Sequence, residues 1–304
     1  MNKLGKIVII GAGKVGSMTA FCLVQNEICN EVVLIDAKPA RAKAEVMDIR
    51  HCLSLQNKEA IVKDGDYSEC TDASLVILTA AAPVKFGETR LDMIIKNTKI
   101  VDSILPEIIK NRFQGKFIVV SNPVDVISSY IQKEYNLNPD DVIGTGTILD
   151  TARLKDILSN EYGMSRDNIE GFCMGEHGDS LIIPWSHIRC KSQILQISEE
   201  EKEIIRSKTI QSAYEIMKGK GNTSYAIAVS ILTLIKALLS EESINLPVSV
   251  LLSGQYDIQD VYLSVPVEIG KNKIHIKEVD LTEEEKSQLK KSADILYQTF
   301  KEIK

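Results

Sequence analysis

"KIVIIGAGKVG", residues 6 to 16, runs an apolar stretch directly into three glycines, and the reading of that junction decides the fold. Ile7 to Ile10 are continuously apolar, the pattern of a strand buried on both faces. Gly11, Gly13 and Gly16 follow, and Val15, Met18 and Cys22 then fall at helical spacing. Glycines at such a turn let the backbone approach a pyrophosphate held by a helix N-terminus. Glycines that serve only a tight turn are the plain alternative, since G-x-G-x-x-G alone is weak evidence. The next strand-like run, "VVLID" (32 to 36), ends in Asp36, where a carboxylate can accept hydrogen bonds from an adenosine ribose. An acid there repels a 2'-phosphate, favouring NAD over NADP, and Arg41, five residues on, tempers that preference.

Working outward, β-branched runs recur at "LVILT" (75 to 79) and "FIVVS" (117 to 121), separated by segments long enough for helices. The alternation predicts a parallel sheet covered on both faces, with one long helix from about Gly87 to Arg112. Beyond residue 146 the alternation weakens into a helix at "ILDTARLKDILSNEYG", short strand-like pieces, and helical stretches around 199 to 218 and 223 to 240. We therefore expect a dinucleotide-binding domain over residues 1–145 and a mixed α/β substrate domain over 146–304. In the last helical stretch Thr282 and Glu285 can form a capping box, and Leu289, Ala293, Leu296 and Phe300 make one apolar stripe.

Composition narrows the class. The 304 residues are 44% apolar and 26% charged, enough for a large core without staples. A net charge of -6 argues against nucleic acid or an acidic membrane surface as partner, because both are held by basic fields. The six cysteines contain no C-x-x-C pair, so they read as reduced thiols of a cytoplasmic protein. The start imitates a signal peptide, but its apolar run is needed as the first strand. Lys236 interrupts the longest span candidate, so no membrane segment is expected.

Three further motifs carry chemistry. "SNPVD" places Ser121 and Asn122 at the carboxyl end of a strand, where ligands collect in open sheets, although an Asn-Pro turn is also a common bland element. In "ILDTARLK", Asp150 and Arg153 share a helix face with Leu154 and Ile157. An intrahelical ion pair accounts for the spacing, yet charges beside apolar side chains are costly without further partners, and an arginine fork suits a carboxylate. "MGEHGDS" sets His177 between Gly175 and Gly178, which leave room for a ligand against the ring. His51, His187 and His275 lack such surroundings. A lone histidine is often structural, and His177 gains weight as an acid/base if Asp150 orients its ring.

Taken in order, "GAGKVG", "GETRLD", "NPVD", "LDTAR", "GEHGD" and "GKGNTSYA" resemble the L-lactate/malate dehydrogenase family almost end to end. The resemblance implies a six-stranded Rossmann half, a mixed α/β half, and reversible hydride transfer between NADH and a small 2-oxo acid to give the L-2-hydroxy acid. It implies that His177 is the proton donor and acceptor, Asp150 its orienting partner, and Arg153 the substrate-carboxylate ligand. Arg90 would polarise the carbonyl from a closing loop, Asn122 would touch substrate and nicotinamide, and Thr223 would line the substrate wall. For the cofactor it adds Val15, Tyr67, Ala81, Asn97, Ser121 and Thr145 to Gly11, Gly13, Gly16 and Asp36.

Three positions depart from the family's commonest patterns. Six residues before the loop arginine, lactate enzymes resemble "QKPGETR" with glutamine and malate enzymes place arginine; here the residue is Val84. A valine offers no bond to the second carboxylate of oxaloacetate, so pyruvate or larger alkyl 2-oxo acids are expected, with Lys85 as the cation a shifted loop would turn inward. Lys155 and Glu170 stand where enzymes activated by fructose 1,6-bisphosphate resemble one another in arginine and histidine, so activation is expected to be weak or absent. The chain begins at its first strand, without the arm that resembles a tetramer brace in vertebrate relatives, so a dimer or tetramer would use other surfaces. Malate dehydrogenase and a non-catalytic NAD-binding structural protein are the competing readings, and glycoside hydrolysis on this scaffold would require a metal site.

Overall fold

The computed structural model describes residues 3–83, 89–271 and 273–303, with Arg90 described in its backbone only. Val84 and Lys85, on which the substrate preference turns, lie outside the described residues. The first half alternates strands and helices: β1 (Leu4–Ile10), α1 (Lys14–Gln25), β2 (Cys29–Ile35), α2 (Pro39–Gln56), β3 (Ile61–Asp64), β4 (Leu75–Leu78), α3 (Arg90–Lys110), β5 (Lys116–Val119), α4 (Val124–Glu134) and β6 (Val142–Gly144). These strands pair in parallel in the order β3-β2-β1-β4-β5-β6, the doubly wound Rossmann arrangement. The order reverses between β1 and β4, which opens a crevice beyond their carboxyl ends. Ile7 to Ile9 and Val76 to Ile77 are completely buried because helices cover both faces of the sheet.

The second half contains α5 (Ile148–Tyr162), the two-residue strands β7 (Ile169–Glu170), β8 (Met174–Gly175), β9 (Leu181–Ile182), β10 (Arg189–Cys190) and β11 (Gln193–Ile194), then α6 (Glu199–Lys220) and α7 (Tyr225–Leu239). It closes with β12 (Ile244–Ser253), β13 (Gln259–Gly270), β14 (Lys273–Ile276) and α8 (Glu283–Glu302). The expectation of short strands holds for β7 to β11 and fails for the β12–β13 hairpin. Pro247 and Pro266 face each other in that hairpin, and proline inside a run argues against a central strand. Their carbonyls are nonetheless paired, accepting from Thr147 N–H (3.2 Å) and Lys277 N–H (2.9 Å).

The two halves share one sheet. Gly144 of β6 pairs antiparallel with Ser249 of β12, Ser249 faces Ser264 of β13, and Ser264 pairs with Gly175 of β8. One row of residues therefore crosses four strands. The core is shared as well, since Ile7, Ile9 and Leu23 from the first half join Ile231, Ile235 and Leu263 from the second in a single buried cluster.

Helix ends follow local chemistry. Thr89 caps α3 with Asp92 returning the bond, so that helix begins at Arg90 rather than Gly87. Thr282 and Glu285 form the expected box at α8, and Leu289, Ala293, Leu296 and Phe300 are all buried. No helix among the described residues is long and apolar enough to cross a membrane.

Candidate active site

The glycine turn forms one end of the site. Gly11 sits at φ 106°, a region L side chains rarely adopt, and a Cβ there would lie 2.7 Å from the Ala80 nitrogen. A Cβ on Gly16 would lie 2.0 Å from the Gly11 carbonyl oxygen, so only glycine lets α1 seat against the turn. Gly13, by contrast, faces open space. The first turn of α1 has neither a side-chain cap nor an acidic residue. Free backbone donors beside an uncrowded glycine suit a pyrophosphate, so these residues fit a dinucleotide.

Asp36, just past β2, is nearly buried and already occupied. Its Oδ2 accepts the Ala12 N–H at 2.9 Å and its Oδ1 accepts the Lys38 N–H at 2.8 Å. The carboxylate thus braces the glycine turn while facing the crevice edge. Arg41 Nη1 lies 3.8 Å from Oδ2, an ion pair that leaves Arg41 half-exposed.

Around the switch point the other cofactor candidates separate into two kinds. Asn97, buried on α3, accepts the Ala82 N–H (2.8 Å) and donates to the Asn122 carbonyl (2.6 Å), so its amide ties two strand ends together. Ser121 donates to the Ala80 carbonyl at 2.6 Å, and the buried Thr145 donates its N–H to Val119 at 3.0 Å. Ala81 and Asn122 are exposed, and Val15 and Tyr67 are half-buried. Burial raises the Tyr67 phenol, with smaller contributions from Cys70, Glu107 and Asp36, so it stays protonated.

The acid/base end is built from α5, α4 and the segment after β8. Asp150 and Arg153 lie one turn apart near the start of α5, and Arg153 Nη1 donates to Asp150 Oδ1 at 2.9 Å. The intrahelical pair therefore exists. Asp150 also has the further partner its burial requires, because His177 Nδ1 stands 2.5 Å from its Oδ2. Arg153 is only 10% exposed, and its Nε is buried without a hydrogen-bond partner among the described residues. A buried guanidinium N–H left over in this way is a donor for an incoming carboxylate.

Charge settles around the imidazole accordingly. Burial is the largest single influence on His177 and opposes protonation, but the charge and hydrogen bond of Asp150, with Asp125 beyond, outweigh it and raise the ring above its ordinary value. Burial likewise pushes Asp150 up, while His177 and Arg153 together hold its carboxyl below the usual range. The arrangement is an imidazole held in one tautomer, with Nδ1–H toward a carboxylate and Nε2 left to exchange a proton.

Asp125 carries a role that motif reading did not assign. Its Oδ2 accepts the His177 backbone N–H at 3.0 Å and its Oδ1 accepts from Ser249 at 2.6 Å. The signal available in "NPVD" was an acid between two valines that are themselves buried. Thr223 sits half-buried ahead of α7, and no hydrogen bond joins it to His177 or Arg153 among the described residues. The Arg90 side chain lies outside the described residues.

Three thiols are buried. Burial pushes Cys29 and Cys70 up to about 12 and Cys173 well above its ordinary value, so none of the three is a nucleophile at neutral pH. All six cysteines are free.

Comparison with known proteins agrees with this geometry. The family model for the lactate/malate dehydrogenase NAD binding domain matches residues 5–144, and that for the lactate/malate dehydrogenase alpha/beta C-terminal domain matches residues 147–304. The chain is 41% identical to an L-lactate dehydrogenase of Macrococcus caseolyticus (strain JCSC5402), over 97% of this chain and 96% of that protein. It is also 41% identical to an L-lactate dehydrogenase of Priestia megaterium, over 98% and 96% respectively. Among solved structures, the minor L-lactate dehydrogenase from Enterococcus mundtii in the ligands-bound form superposes with a TM-score of 0.95 at 33% identity, covering 100% of this chain and 99% of that one. By its glycine turn, its paired histidine and aspartate, and its likeness to these proteins over nearly its whole length, the chain belongs to the lactate/malate dehydrogenase family.

Proposed function

We propose that this chain is an NAD-dependent L-lactate dehydrogenase that interconverts pyruvate, or a larger alkyl 2-oxo acid, and the corresponding L-2-hydroxy acid. The observation that carries the proposal is the triad of Asp150 with His177 at 2.5 Å and Arg153 at 2.9 Å, in which Arg153 keeps a buried Nε–H without a partner among the described residues. A nicotinamide bound in its reduced form would supply the hydride. His177 gives the Nε2 proton to the carbonyl oxygen as negative charge develops there, and Asp150 stabilises the imidazolium before transfer. Arg153 holds the substrate carboxylate, and Arg90 is assigned to the same developing charge. In the reverse direction the neutral imidazole takes the hydroxyl proton.

Gly11, Gly13, Gly16 and Val15 would cradle the pyrophosphate, with Asp36 at the ribose and Arg41 beside it. Tyr67, Ala81, Ser121, Asn122 and Thr145 would line the path to the nicotinamide, and Asn97 would act by fixing the Ala82 and Asn122 segments. Thr223 and Val84 are assigned to recognition of the substrate side chain. In this reading residues 1–145 bind the cofactor and 146–304 complete the substrate site. The protein works in the cytoplasm as a dimer or tetramer, and Glu170 disfavours activation by fructose 1,6-bisphosphate.

NADH oxidation assayed with pyruvate, 2-oxoisocaproate and oxaloacetate tests the reading. Turnover of the first two with poor use of oxaloacetate is expected. A clear preference for oxaloacetate would overturn the substrate assignment, and inactivity toward all three would overturn the activity.

A further inference from the structure

Asp125 is a buried acid to which the reaction above gives no task. It lies in the first turn of α4, three residues past Asn122, and is 2% exposed. Its two oxygens reach in different directions. Oδ2 accepts the backbone N–H of His177 at 3.0 Å, while Oδ1 accepts from Ser249 at 2.6 Å and faces Ser264 at 3.5 Å. Ser249 and Ser264 are the middle members of the row Gly144–Ser249–Ser264–Gly175 that joins the two halves, and His177 lies two residues beyond its end. One carboxylate therefore links the helix behind Asn122, the seam between the halves and the backbone of the acid/base residue.

Asparagine would satisfy the same hydrogen bonds without burying a charge. Its amide oxygen would accept from His177 N–H and its amide NH2 would donate to Ser249 Oγ. What only aspartate adds is negative charge near the imidazole, and no lysine or arginine is paired with that charge among the described residues.

We propose that Asp125 is a positioning residue for His177, anchoring its backbone to the seam and adding to Asp150 a second negative charge that favours the protonated imidazole. Among the described residues, the charged groups acting on the ring are Asp150 and Arg153 from α5 and Asp125 from α4, while β12 and β13 present serine hydroxyls to Asp125. Burial depresses the ring, Asp150 and Asp125 raise it, and Arg153 opposes them. Burial holds the Asp125 carboxyl above its ordinary range, countered by Ser249 and the His177 N–H.

The inference rests on His177 being the proton donor, so its test includes a measurement that needs no turnover. Asp125→Asn in the full chain is compared with wild type in the pH profile of kcat/KM for pyruvate reduction and in an NMR titration of the imidazole resonances. Removing the charge should move both the alkaline limb and the His177 titration to lower pH. Because asparagine keeps both hydrogen bonds, the imidazole stays in place and KM for pyruvate should change little. Ser249→Ala removes a hydrogen bond that favours the carboxylate, so it should shift the limb in the same direction by less, and it serves if Asp125→Asn does not fold. A limb and a resonance that stay in place in the folded variants would reduce Asp125 to a structural tether and overturn the proposal. An inactive wild type whose His177 titration still moves with Asp125→Asn would support the coupling and count instead against the dehydrogenase reading.

Discussion

The two ends of the site are made of opposite materials. At the β1–α1 turn the chemistry is backbone N–H groups and the absence of side chains: Gly11 and Gly16 are tolerated nowhere else in the residue alphabet because a Cβ would meet backbone at 2.7 Å and 2.0 Å. At the α5–β8 corner it is ionisable side chains: Asp150 and Arg153 are nearly buried, His177 is half-buried, and Asp150 and His177 each favour the other's charged form. Backbone sites fail when atoms are added. Charged sites fail when atoms or charges are taken away, since the partner left behind stays buried and unpaired. Both ends therefore tolerate little, for contrary reasons.

Substitutions that remove a charge should have the larger effects. His177→Asn deletes the proposed proton donor and should lower kcat by about 10² to 10⁴ while NADH still binds, which fluorescence titration of NADH can check. In wild type the raised imidazole should keep pyruvate reduction active above the ordinary histidine range. Reduction needs the protonated ring and is lost as pH rises through its titration, whereas lactate oxidation needs the neutral ring and is gained. Profiles with the limb below the ordinary range would show that Asp150 does not govern the ring.

Arg153→Gln should come next, at about 2 to 5 kcal/mol, read as a rise in KM for pyruvate with NADH affinity retained. An unchanged KM would remove Arg153 from the substrate carboxylate. Gly16→Ala probes the other end by adding one carbon, and should cost about 1 to 3 kcal/mol of stability and weaken NADH binding, because a backbone oxygen cannot move aside like a side-chain tip. Away from both ends, Thr282→Ala removes the α8 cap and should cost only ~1 kcal/mol in thermal or urea unfolding, with kcat unaffected. If Gly16→Ala altered the pH limb, or Arg153→Gln altered NADH affinity, the contrast between the two ends would not hold.

Much of the glycine end was legible from sequence because local rules dictate it. An apolar run, a glycine turn, a helical period and an acid at the end of the next run act over a few residues each. The caps at Thr89 and Thr282 differ in this respect: the second was readable from spacing, while the first moved the start of α3 from Gly87 to Arg90. The charged end was only partly legible. Asp150 and Arg153 sit on one helix turn, but their meeting with His177 depends on a fold that brings together residues 27 positions apart. Asp125 was hidden because an acid in a first helical turn is ordinary, being favoured there by the helix dipole. The β12–β13 hairpin was missed because its opposed prolines contradict the rule for interior strands, β6 spans only three residues, and β3 is half charged, with Lys63 and Asp64 breaking any apolar run.

The row that crosses from Gly144 to Gly175 also bears on how the molecule comes apart. Two family modules stitched through a common sheet, with a common apolar interior, have no weak plane along which one could melt while the other persists. Heating should therefore give a single calorimetric transition, and excising either module would expose an unpaired strand edge prone to aggregation.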